Sequence, residues 1–470
     1  MKQINEYQHI FFIGIAGTGM SAIAQYLAGK GKSVSGSDRY FVSGQYNDTR
    51  TKLEAEGILC YEQDGTGISS ETELVVVSTA IESTVQEVQK AITLGITILK
   101  RSEVLALISA SVKTIAIGGT SGKSTTSAML FDILNRTGMS PGIISGAGLV
   151  SLIRNKKIGN AAVGNGEWLI IEADESDGSI VQYHPEIGVL LNIDKDHQEM
   201  KELMQIFSTF CNHTKSIFIV NRGNTWSAQL SQNISHDFSA HSDFPAGYQA
   251  THFMQTGMKV QFSINGYPFE MKTVGRHNME NALAAVAVAH QLGVSFEIAA
   301  DAILNYEGIY RRHQVLGEYN GITLIDDYAH NPVKCAASIQ ACQPIAPKVF
   351  AWFQPHGYGP TRFLKDDFIL EIANALRLDD EIWMSEIFYA GGTATKDISA
   401  NELIEGIKAK GKKAFFVADR NYFFESVKER LTDPSVLLLM GARDPSLEAF
   451  GLSVRDSLKI EKSLSQRELE

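Results

Sequence analysis

The sequence predicts an α/β protein of three domains. Its 470 residues exceed the length, about 250–300 residues, at which a single hydrophobic core stops growing, and a prior of about 150 residues per domain gives three units. Short apolar runs alternate with helical patterns along most of the chain, which is typical of parallel sheets covered by helices. Two glycine-rich turns, each between an apolar run and a helical pattern, predict two sites for phosphorylated ligands.

The first domain is predicted over residues 1–110, as a Rossmann-like parallel sheet. Its strands are read from "HIFFIGI", "SVSGSD", "ELVVVSTA" and "ITILK". The intervening helices are "GMSAIAQYLAGKG", "STVQEVQKAITLG" and "SEVLALIS", the last with its serine as the N-cap. Strand and helix in strict turn indicate a parallel sheet with helices on both faces.

The second domain is predicted over residues 111–309, as a central α/β domain of the P-loop ATPase type. The strand "TIAIGG" leads into the second glycine turn, the helix "KSTTSAMLFDILNRTG" follows directly, and "EWLIIEAD", "IGVLLNI" and "SIFIVN" supply further buried strands. Polar and apolar residues then alternate in "KVQFSINGYPFEMKTV", around Asn265 and Gly266. This change of period predicts an antiparallel β extension of the domain.

The third domain is predicted over residues 310–470, as a second Rossmann-like α/β fold. Its strands are "GITLIDDY", "KVFAWFQP", "EIWMSE", "KAFFVA" and "SVLLLMG", with "TRFLKDDFILEIANAL" as one of the intervening helices. The final "LKIEKSLSQRELE" reads as a charged helix or a frayed end.

Composition excludes several classes of protein. A net charge of −11 argues against broad binding of nucleic acid, which needs an excess of Lys and Arg. The sequence contains no run of eighteen apolar residues, so no membrane span is predicted, and the N-terminus has no signal-peptide pattern. The four cysteines lack metal-ligand or paired spacing, so we expect reduced thiols and a cytoplasmic protein.

The second glycine turn, "AIGGTSGKSTT", predicts a triphosphate site. It supplies a strand, a tight turn with free backbone N–H groups, a lysine, a hydroxyl and a helix N-terminus. The common phosphate-loop pattern has a glycine where this chain has Ile117, but Gly118 and Gly119 follow at once. We expect Lys123 to contact the terminal phosphates and Ser124 to bind magnesium.

Acidic residues follow two of the predicted strands of the second domain. Carboxylates at the carboxyl ends of parallel strands lie where ligands bind, and magnesium prefers such oxygen ligands. A solvated acidic loop is the alternative interpretation for the first group, and an unliganded histidine for the second. The first group is Glu172, Asp174, Glu175 and Asp177, and the second is Asp194, Asp196 and His197.

The first glycine turn, "FFIGIAGTGMSAIA", indicates a diphosphate at a helix N-terminus. As a dinucleotide fingerprint it lacks the middle glycine, since Ala16 stands there between Gly14 and Gly17. Asp38, at the end of the second strand, is placed as a ribose-binding acid would be. The pattern does not establish NAD.

Two further stretches carry polar residues suited to a nucleotide. In "VGRHNMENALAAVAVA", His277, Asn278 and Asn281 are candidates for contacting a base, with helix capping as the alternative. In "YRRHQVLGEYNGITLIDDYAHNP", paired arginines suited to phosphate charge precede a strand that ends in two aspartates. These residues are Arg311, Arg312, Asp326 and Asp327, with His330 before a proline.

The order of these motifs resembles the Mur ligases, the ATP-dependent amide-forming enzymes of peptidoglycan precursor synthesis. The resemblance covers nearly the whole chain, through "GIAGTGMSAIA", "GSD", "GGTSGKSTT", "EADESDGS", "NIDKDH", "GRHNMENA", "RRHQVLGEY", "DDYAHNP" and "FQPH". Family members carry a loop of the form GT-x-GK-[ST], which explains Ile117. The two glycine turns would then serve two different phosphorylated ligands.

The resemblance implies a set of site residues. Those for the sugar nucleotide and the acceptor side are Gly17, Gly19, Met20, Ser37, Asp38, Ser78 and His330. Those for ATP are Gly119, Thr120, Gly122, Lys123, Ser124, Thr125, Asn278, Asn281, Arg312 and Asp327. The implied Mg²⁺ ligands are Ser124, Glu172 and His197, and the implied catalytic residues are Lys123, Glu172, His197 and Arg312.

The resemblance also implies the reaction. A carboxylate of UDP-N-acetylmuramate attacks the γ-phosphate of ATP, and an amine then displaces phosphate from the acyl phosphate. The amine stays open between L-alanine and a whole tripeptide, because Gly357 replaces an arginine that the family has after "PH". Two functions of a different class also stay open: a protein that binds nucleotide sugars or ATP without catalysis, and an NAD-dependent oxidoreductase. We expect a monomer or a homodimer.

Overall fold

The computed structural model describes residues 2–79, 81–176, 178–194, 200–389, 391 and 395–467, except for the side chains of 461–467. The chain divides into two compact units. The first unit consists of residues 1–251, 263–269 and 280–310, and the second of residues 252–262, 270–279 and 311–470. Each unit is described separately below.

The first sheet lies in the first unit and is parallel throughout. Its strands are β1 (His9–Ile13), β2 (Ser33–Asp38), β3 (Leu59–Glu62), β4 (Leu74–Val77) and β5 (Thr97–Lys100), in the order β3-β2-β1-β4-β5. The helices of this part are α1 (Thr18–Gly29), α2 (Asp48–Ala55), α3 (Gln86–Thr93) and α4 (Arg101–Ser111). Because the order reverses beside β1, the sheet has a switch point at the carboxyl ends of β1 and β4.

Two details of this sheet differ from the sequence prediction. The helix α2 and the strand β3 were not predicted; both are short, and β3 lies at the sheet edge with no fully buried residue. The expected serine N-cap of α4 is wrong, because the helix begins at Arg101 and Ser102 lies inside it. The carboxylate of Glu103 instead accepts the backbone N–H of Lys100 at 2.6 Å.

The second sheet also lies in the first unit. Its strands are β6 (Lys113–Gly118), β7 (Gly142–Ile144), β8 (Ala161–Ala162), β9 (Trp168–Ala173), β10 (Ile187–Leu190) and β11 (Ile217–Val220), in the order β11-β10-β6-β9-β7-β8. All neighbours are parallel except β8, which runs antiparallel to β7. The helices are α5 (Lys123–Arg136), α6 (Val150–Arg154) and α7 (Met200–His213).

A small four-stranded sheet follows at the place of the predicted antiparallel extension, and its first pair, β12 with β13, is parallel. Its strands are β12 (Phe238–Ser239), β13 (Tyr248–Thr256), β14 (Lys259–Ile264) and β15 (Tyr267–Met271), paired in chain order. Asn265 and Gly266 join β14 to β15 with positive φ angles of 49° and 83°, as a two-residue hairpin turn requires. The helices α8 (Arg276–Gln291) and α9 (Phe296–Leu304) come next.

The third large sheet lies in the second unit and is mixed. Its strands are β16 (Gln314–Tyr319), β17 (Ile322–Asp327), β18 (Lys348–Gln354), β19 (Glu381–Met384), β20 (Lys413–Phe416) and β21 (Ser435–Gly441), in the order β16-β17-β21-β18-β19-β20. Only β16, at one edge, is antiparallel to its neighbour. All five strands predicted for this region are therefore present and parallel.

The helices of the second unit cover this sheet. They are α10 (Pro332–Cys342), α11 (Tyr358–Phe363), α12 (Lys365–Ala375), α13 (Ala400–Ala409), α14 (Phe423–Val427) and α15 (Leu447–Arg467). The predicted helix "TRFLKDDFILEIANAL" is thus divided at Leu364 into α11 and α12. The charged C-terminal segment belongs to α15 as far as residue 467.

The first two sheets share a continuous apolar core. Buried side chains of α1 and α4 pack with side chains of the second sheet, including Ile144 and Leu169. The buried amide of Gln25 on α1 donates to the side-chain oxygen of Asn160 at 2.8 Å. The strand ends of both sheets are therefore held in one compact unit. Among the described residues no helix combines the length and apolarity needed to cross a bilayer.

Candidate active site

The second glycine turn connects β6 to α5 and faces the carboxyl ends of the second sheet. Gly119 and Gly122 have positive φ angles of 133° and 87°, which glycine adopts without strain. Gly122 is the N-cap of α5, and a Cβ built there would lie 2.3 Å from Oδ1 of Asn281. The close approach of Asn281 leaves no room for another residue type at position 122. The turn therefore presents backbone N–H groups at a helix N-terminus, as a phosphate site requires.

Lys123 lies at the start of α5, with its ammonium group directed back over the turn. Its Nζ donates to the carbonyl of Gly119 and to Oε2 of Glu175, both at 2.6 Å, and lies 3.9 Å from Oδ1 of Asp174. Burial alone would lower the pKa of Lys123, but the carboxylates of Glu175 and Asp174 raise it above its ordinary value. The ammonium group is therefore charged at neutral pH and is held beside the turn by acids.

Ser124 and Glu172 form the second pair of the site. The hydroxyl of Ser124 donates to Oε2 of Glu172 at 2.8 Å. The other oxygen, Oε1, accepts from Ser145 Oγ at 2.6 Å and from the backbone N–H of Gly146 at 2.7 Å. A hydroxyl and a carboxylate oxygen side by side are the hard donors that Mg²⁺ prefers. Within the described parts of the chain no group of three or more His, Cys, Asp or Glu side chains is arranged for a metal.

Three residues of the predicted site fall outside the described residues. They are Asp177, Asp196 and His197, so the expected third metal ligand is not among the groups placed here. The remaining two predicted ligands, Ser124 and Glu172, offer a hydroxyl and a carboxylate oxygen, which suit a Mg²⁺ ion.

The backbone of the second glycine turn is braced by the residues that follow β10. Asn192 Oδ1 accepts the hydroxyl of Thr120 and the backbone N–H of Ser121, each at 2.8 Å. The hydroxyl of Thr120 in turn accepts the backbone N–H of Asp194 at 3.1 Å. Thr125, within the first turn of α5, is buried. Asn192 was missed at the sequence level, although its position directly after a buried strand is a usable signal.

The first glycine turn lies at the carboxyl ends of the first sheet. Gly17 is the N-cap of α1, and the side chain of Asp38 braces the turn: Oδ2 accepts the N–H of Ala16 and Oδ1 that of Tyr40, each at 3.0 Å. These bonds give Asp38 a structural role in the turn. The predicted sugar-nucleotide residues are gathered at this sheet edge, with Gly19 and Met20 on the first turn of α1, Ser37 and Asp38 ending β2, and Ser78 following β4.

Arg101 lies beside the first turn of α1 and was not predicted. It opens α4 directly after β5, and its guanidinium occupies the space above α1, because a Cβ built at Gly19 would lie 2.8 Å from Arg101 Nη1. Burial would raise the pKa of Asp174, but Lys123, hydrogen bonds from Ser176 and the charge of Arg101 lower it below its ordinary value. Arg101 is thus near both the first turn of α1 and the acids around Lys123. A basic residue directly after a parallel strand was the available signal.

The two asparagines predicted to face a base lie inside α8, which begins at Arg276. The capping alternative is therefore excluded for both. Asn278 is buried and its amide donates to the carbonyl of Val274 at 2.7 Å. Asn281 is also buried, and its Oδ1 accepts the hydroxyl of Thr126 at 3.3 Å.

The remaining predicted residues belong to the second unit. The guanidinium of Arg312 lies over the ring of Tyr328, 4.7 Å from its centroid. Asp327 ends β17 and is buried. His330 Nδ1 lies 2.9 Å from the carbonyl oxygen of Tyr328, and its ring centroid is 5.7 Å from that of His356. Burial holds the pKa of His330 well below its ordinary value, so this imidazole is neutral at physiological pH.

The topology and the site define a class of protein: a nucleotide-binding α/β protein with a phosphate loop. Three family models match the chain in succession. They are the Mur ligase family catalytic domain over residues 9–113, the Mur ligase middle domain over 117–289, and the Mur ligase glutamate ligase domain over 311–443.

Curated relatives match over almost the whole length. The chain is 35% identical to the UDP-N-acetylmuramate–L-alanine ligase of Desulfosudis oleivorans, covering 93% of this chain and 96% of the relative. It is 31% identical to the enzyme of the same name from Carboxydothermus hydrogenoformans, covering 94% and 95%. The chain belongs to the Mur ligase family, whose members are ATP-dependent, ADP-forming ligases.

Solved structures share the fold. The UDP-N-acetylmuramate–alanine ligase of Thermotoga maritima superimposes with a TM-score of 0.77 at 23% identity, covering 97% of this chain and 100% of that one. A murein peptide ligase from Psychrobacter arcticus gives a TM-score of 0.64 at 20% identity, covering 96% and 98%.

Proposed function

We propose that this protein joins L-alanine to the carboxylate of UDP-N-acetylmuramate at the expense of ATP. The carboxylate oxygen attacks the γ-phosphorus, the bond from that phosphorus to the β–γ bridging oxygen breaks, and ADP leaves. The amine nitrogen then attacks the acyl carbon, inorganic phosphate leaves and an amide remains. Two curated relatives, each matched over more than nine tenths of this chain, carry the corresponding name.

One observation carries the proposal: a charged lysine and a hydroxyl–carboxylate pair adjoin the second glycine turn, and the charge of Arg101, which lies beside Gly19, acts on Asp174 of the same site. A ligase of this kind needs an activating triphosphate and a phosphorylated acid within reach of each other. Arg101 lies beside Gly19 and within electrostatic range of Asp174, which is 3.9 Å from the ammonium of Lys123. A protein that binds a single nucleotide needs only one of the two glycine turns.

The side chains of the second glycine turn would act on the transferring phosphoryl group. We assign Lys123 to neutralise charge on the terminal phosphates as the P–O bond breaks. Ser124 and Glu172, with His197, would hold Mg²⁺, which supplies positive charge to the phosphate oxygens. Glu175 keeps the ammonium of Lys123 charged and directed at the turn before ATP arrives.

The other residues are assigned to binding. For ATP we retain the backbone of Gly119, Thr120, Gly122 and Thr125, the amides of Asn278 and Asn281, and Arg312 and Asp327. For UDP-N-acetylmuramate we retain Gly17, Gly19, Met20, Ser37, Asp38 and Ser78, with His330 on the side of the amine. The proposal keeps three functional domains, residues 1–110, 111–309 and 310–470, and a cytoplasmic location.

A tripeptide is the second candidate for the amine. The segment after His356 begins with Gly357, the N-cap of α11 at a φ of 73°. Because this residue is glycine, no side chain extends from the position. The next basic residue of the helix, Arg362, is paired with Asp397 and donates to the carbonyl of Thr395 at 3.1 Å. An arginine engaged in this way is less available to a small amino-acid carboxylate, which favours a larger amine.

An amine screen tests the proposal. The protein is incubated with UDP-N-acetylmuramate, ATP and Mg²⁺, and with L-alanine, other amino acids or short peptides, while ADP release and product mass are measured. We expect L-alanine to give the highest kcat/KM and a product with one added alanine. A higher kcat/KM for a tripeptide would select the second candidate. Tight binding of both nucleotides without turnover of any amine would leave a non-catalytic binding protein instead.

A further inference from the structure

A turn of unusual backbone conformation precedes β16 in the second unit. Arg311 and His313 have positive φ angles of 55° and 46°, on either side of Arg312. For residues other than glycine this left-handed region brings Cβ too close to the following carbonyl oxygen, so it persists only where surrounding contacts hold it. The turn at residues 311–313 is therefore fixed by its neighbours.

The first contact that fixes the turn is the side chain of Arg311. Its Nε and Nη2 donate to the two oxygens of Asp326 at 2.8 and 3.2 Å, and Nη2 also donates to the carbonyl of Gly441 at 3.1 Å. The backbone carbonyl of Arg311 accepts the N–H of Tyr328 at 2.8 Å. Both Arg311 and Asp326 are buried. Of the paired arginines, Arg311 thus has a structural role, and Arg312 is the one presented by the turn.

The second contact is the carboxylate of Asp327. Its Oδ1 accepts the backbone N–H of His313 at 3.1 Å, and its Oδ2 accepts the hydroxyl of Ser338 on α10 at 2.8 Å. Ser338 is 1% exposed. Burial would raise the pKa of Asp327, but neighbouring His313 and Arg312 and these hydrogen bonds lower it below its ordinary value. Each oxygen is therefore held by one donor, and the carboxylate cannot rotate freely.

A carboxylate offers about four lone-pair sites. One donor on each oxygen, the N–H of His313 and the hydroxyl of Ser338, sets the direction of this carboxylate. The direction of the second oxygen depends on the hydroxyl of Ser338, which no step of the proposed reaction uses. Removing that hydroxyl leaves Asp327 charged and still bound to His313, but frees it to turn about the Cβ–Cγ bond.

We propose that Ser338 is a positioning residue, which holds the carboxylate of Asp327 in the orientation that binds ATP. The inference rests on the proposed function, because it takes Asp327 as an ATP ligand.

The test measures the Kd of Mg²⁺-ATP and of UDP-N-acetylmuramate by calorimetry on the full chain. For Ser338→Ala we expect the Kd of ATP to rise about tenfold, the loss expected for one hydrogen bond to a charged group. The Kd of UDP-N-acetylmuramate should stay within about twofold, since the affected carboxylate serves only ATP in the proposal. The control is Ser435→Ala: Ser435 is a completely buried serine on β21 whose hydroxyl has no hydrogen-bond partner among the described residues. It should change neither constant.

A second pair of variants separates the hydroxyl from packing. Ser338→Thr and Ser338→Val add side chains of the same shape, but only threonine can donate to Asp327. The Ser338→Thr variant should bind ATP about tenfold more tightly than the Ser338→Val variant, even if both variants lose thermal stability. Equal Kd values of ATP for Ser338→Thr and Ser338→Val, or for Ser338→Ala and the wild type, would overturn the inference and leave the proposed function standing. A wild-type protein that does not bind ATP would overturn both.

Discussion

Asp132, a carboxylate within the helix that begins at Lys123, should make the stability of the protein depend on pH. The pKa of Asp132 is raised from 3.8 to about 7, chiefly by burial and then by the charge of Glu307, while Arg136, one turn along α5, acts in the opposite direction. The folded protein therefore holds this proton more tightly than the unfolded chain. Its contribution to stability is complete below pH 3.8 and is lost as the pH rises through about 7.

The size of the effect follows from the two pKa values. With 3.8 in the unfolded chain and about 7 in the folded protein, the free energy of unfolding should fall by about 3 kcal/mol between pH 5 and pH 8 through this group. Asp132→Asn keeps the shape of the side chain and removes the titration. The stability advantage of the variant over the wild type should therefore grow by about 3 kcal/mol across that interval.

Urea unfolding at pH 5, 6, 7 and 8, followed by tryptophan fluorescence, measures this difference. Asp243→Asn, at an exposed position, is the control and should run parallel to the wild type. A constant difference between Asp132→Asn and the wild type at all four pH values would refute the reasoning.

Three further predictions concern the site and the fold. Lys123→Met should lower kcat by about a hundredfold or more, as loss of a transition-state donor does, with an unchanged Kd for UDP; near-normal turnover would remove Lys123 from the mechanism. Glu172→Gln should raise the Mg²⁺ concentration for half-maximal ADP release about tenfold; an unchanged Mg²⁺ titration would exclude Glu172 from the metal site. Gly166→Ala should lower the thermal midpoint, because the new Cβ would lie 1.9 Å from the carbonyl of Met139, whereas Gly359→Ala, with open space around it, should not.

Much of the fold was readable from local patterns. The parallel strands of all three large sheets were predicted from short apolar runs, except for β3 and the short β7, and the hairpin at Asn265 and Gly266 was predicted from its change of period. The serine cap of α4 could not be read correctly, because Ser102 and Glu103 are both plausible near a helix start. Which residue becomes the N-cap of α4 depends on where the preceding strand ends, and β5 extends to Lys100.

The sequence by itself determined the phosphate turn and the acids near it. The glycine turn between a strand and a helix indicated that Lys123 and Ser124 stand at the start of α5, and the apolar run of β9 indicated a parallel strand that brings Glu172 to the same edge. The family likeness was also carried by contiguous motifs, and the family models match in the same order.

Only the tertiary structure decided which polar residues are held in structural contacts and which are presented to a ligand. Arg311 and Arg312 are adjacent and chemically identical, yet Arg311 is buried against Asp326 and Arg312 lies over Tyr328. Arg101 above Gly19, and Ser338 on Asp327, join residues from different elements of the chain. A sequence pattern reports neighbours within one strand or helix, whereas the orientation of a charged side chain is set by the donors and acceptors that folding brings to it from elsewhere.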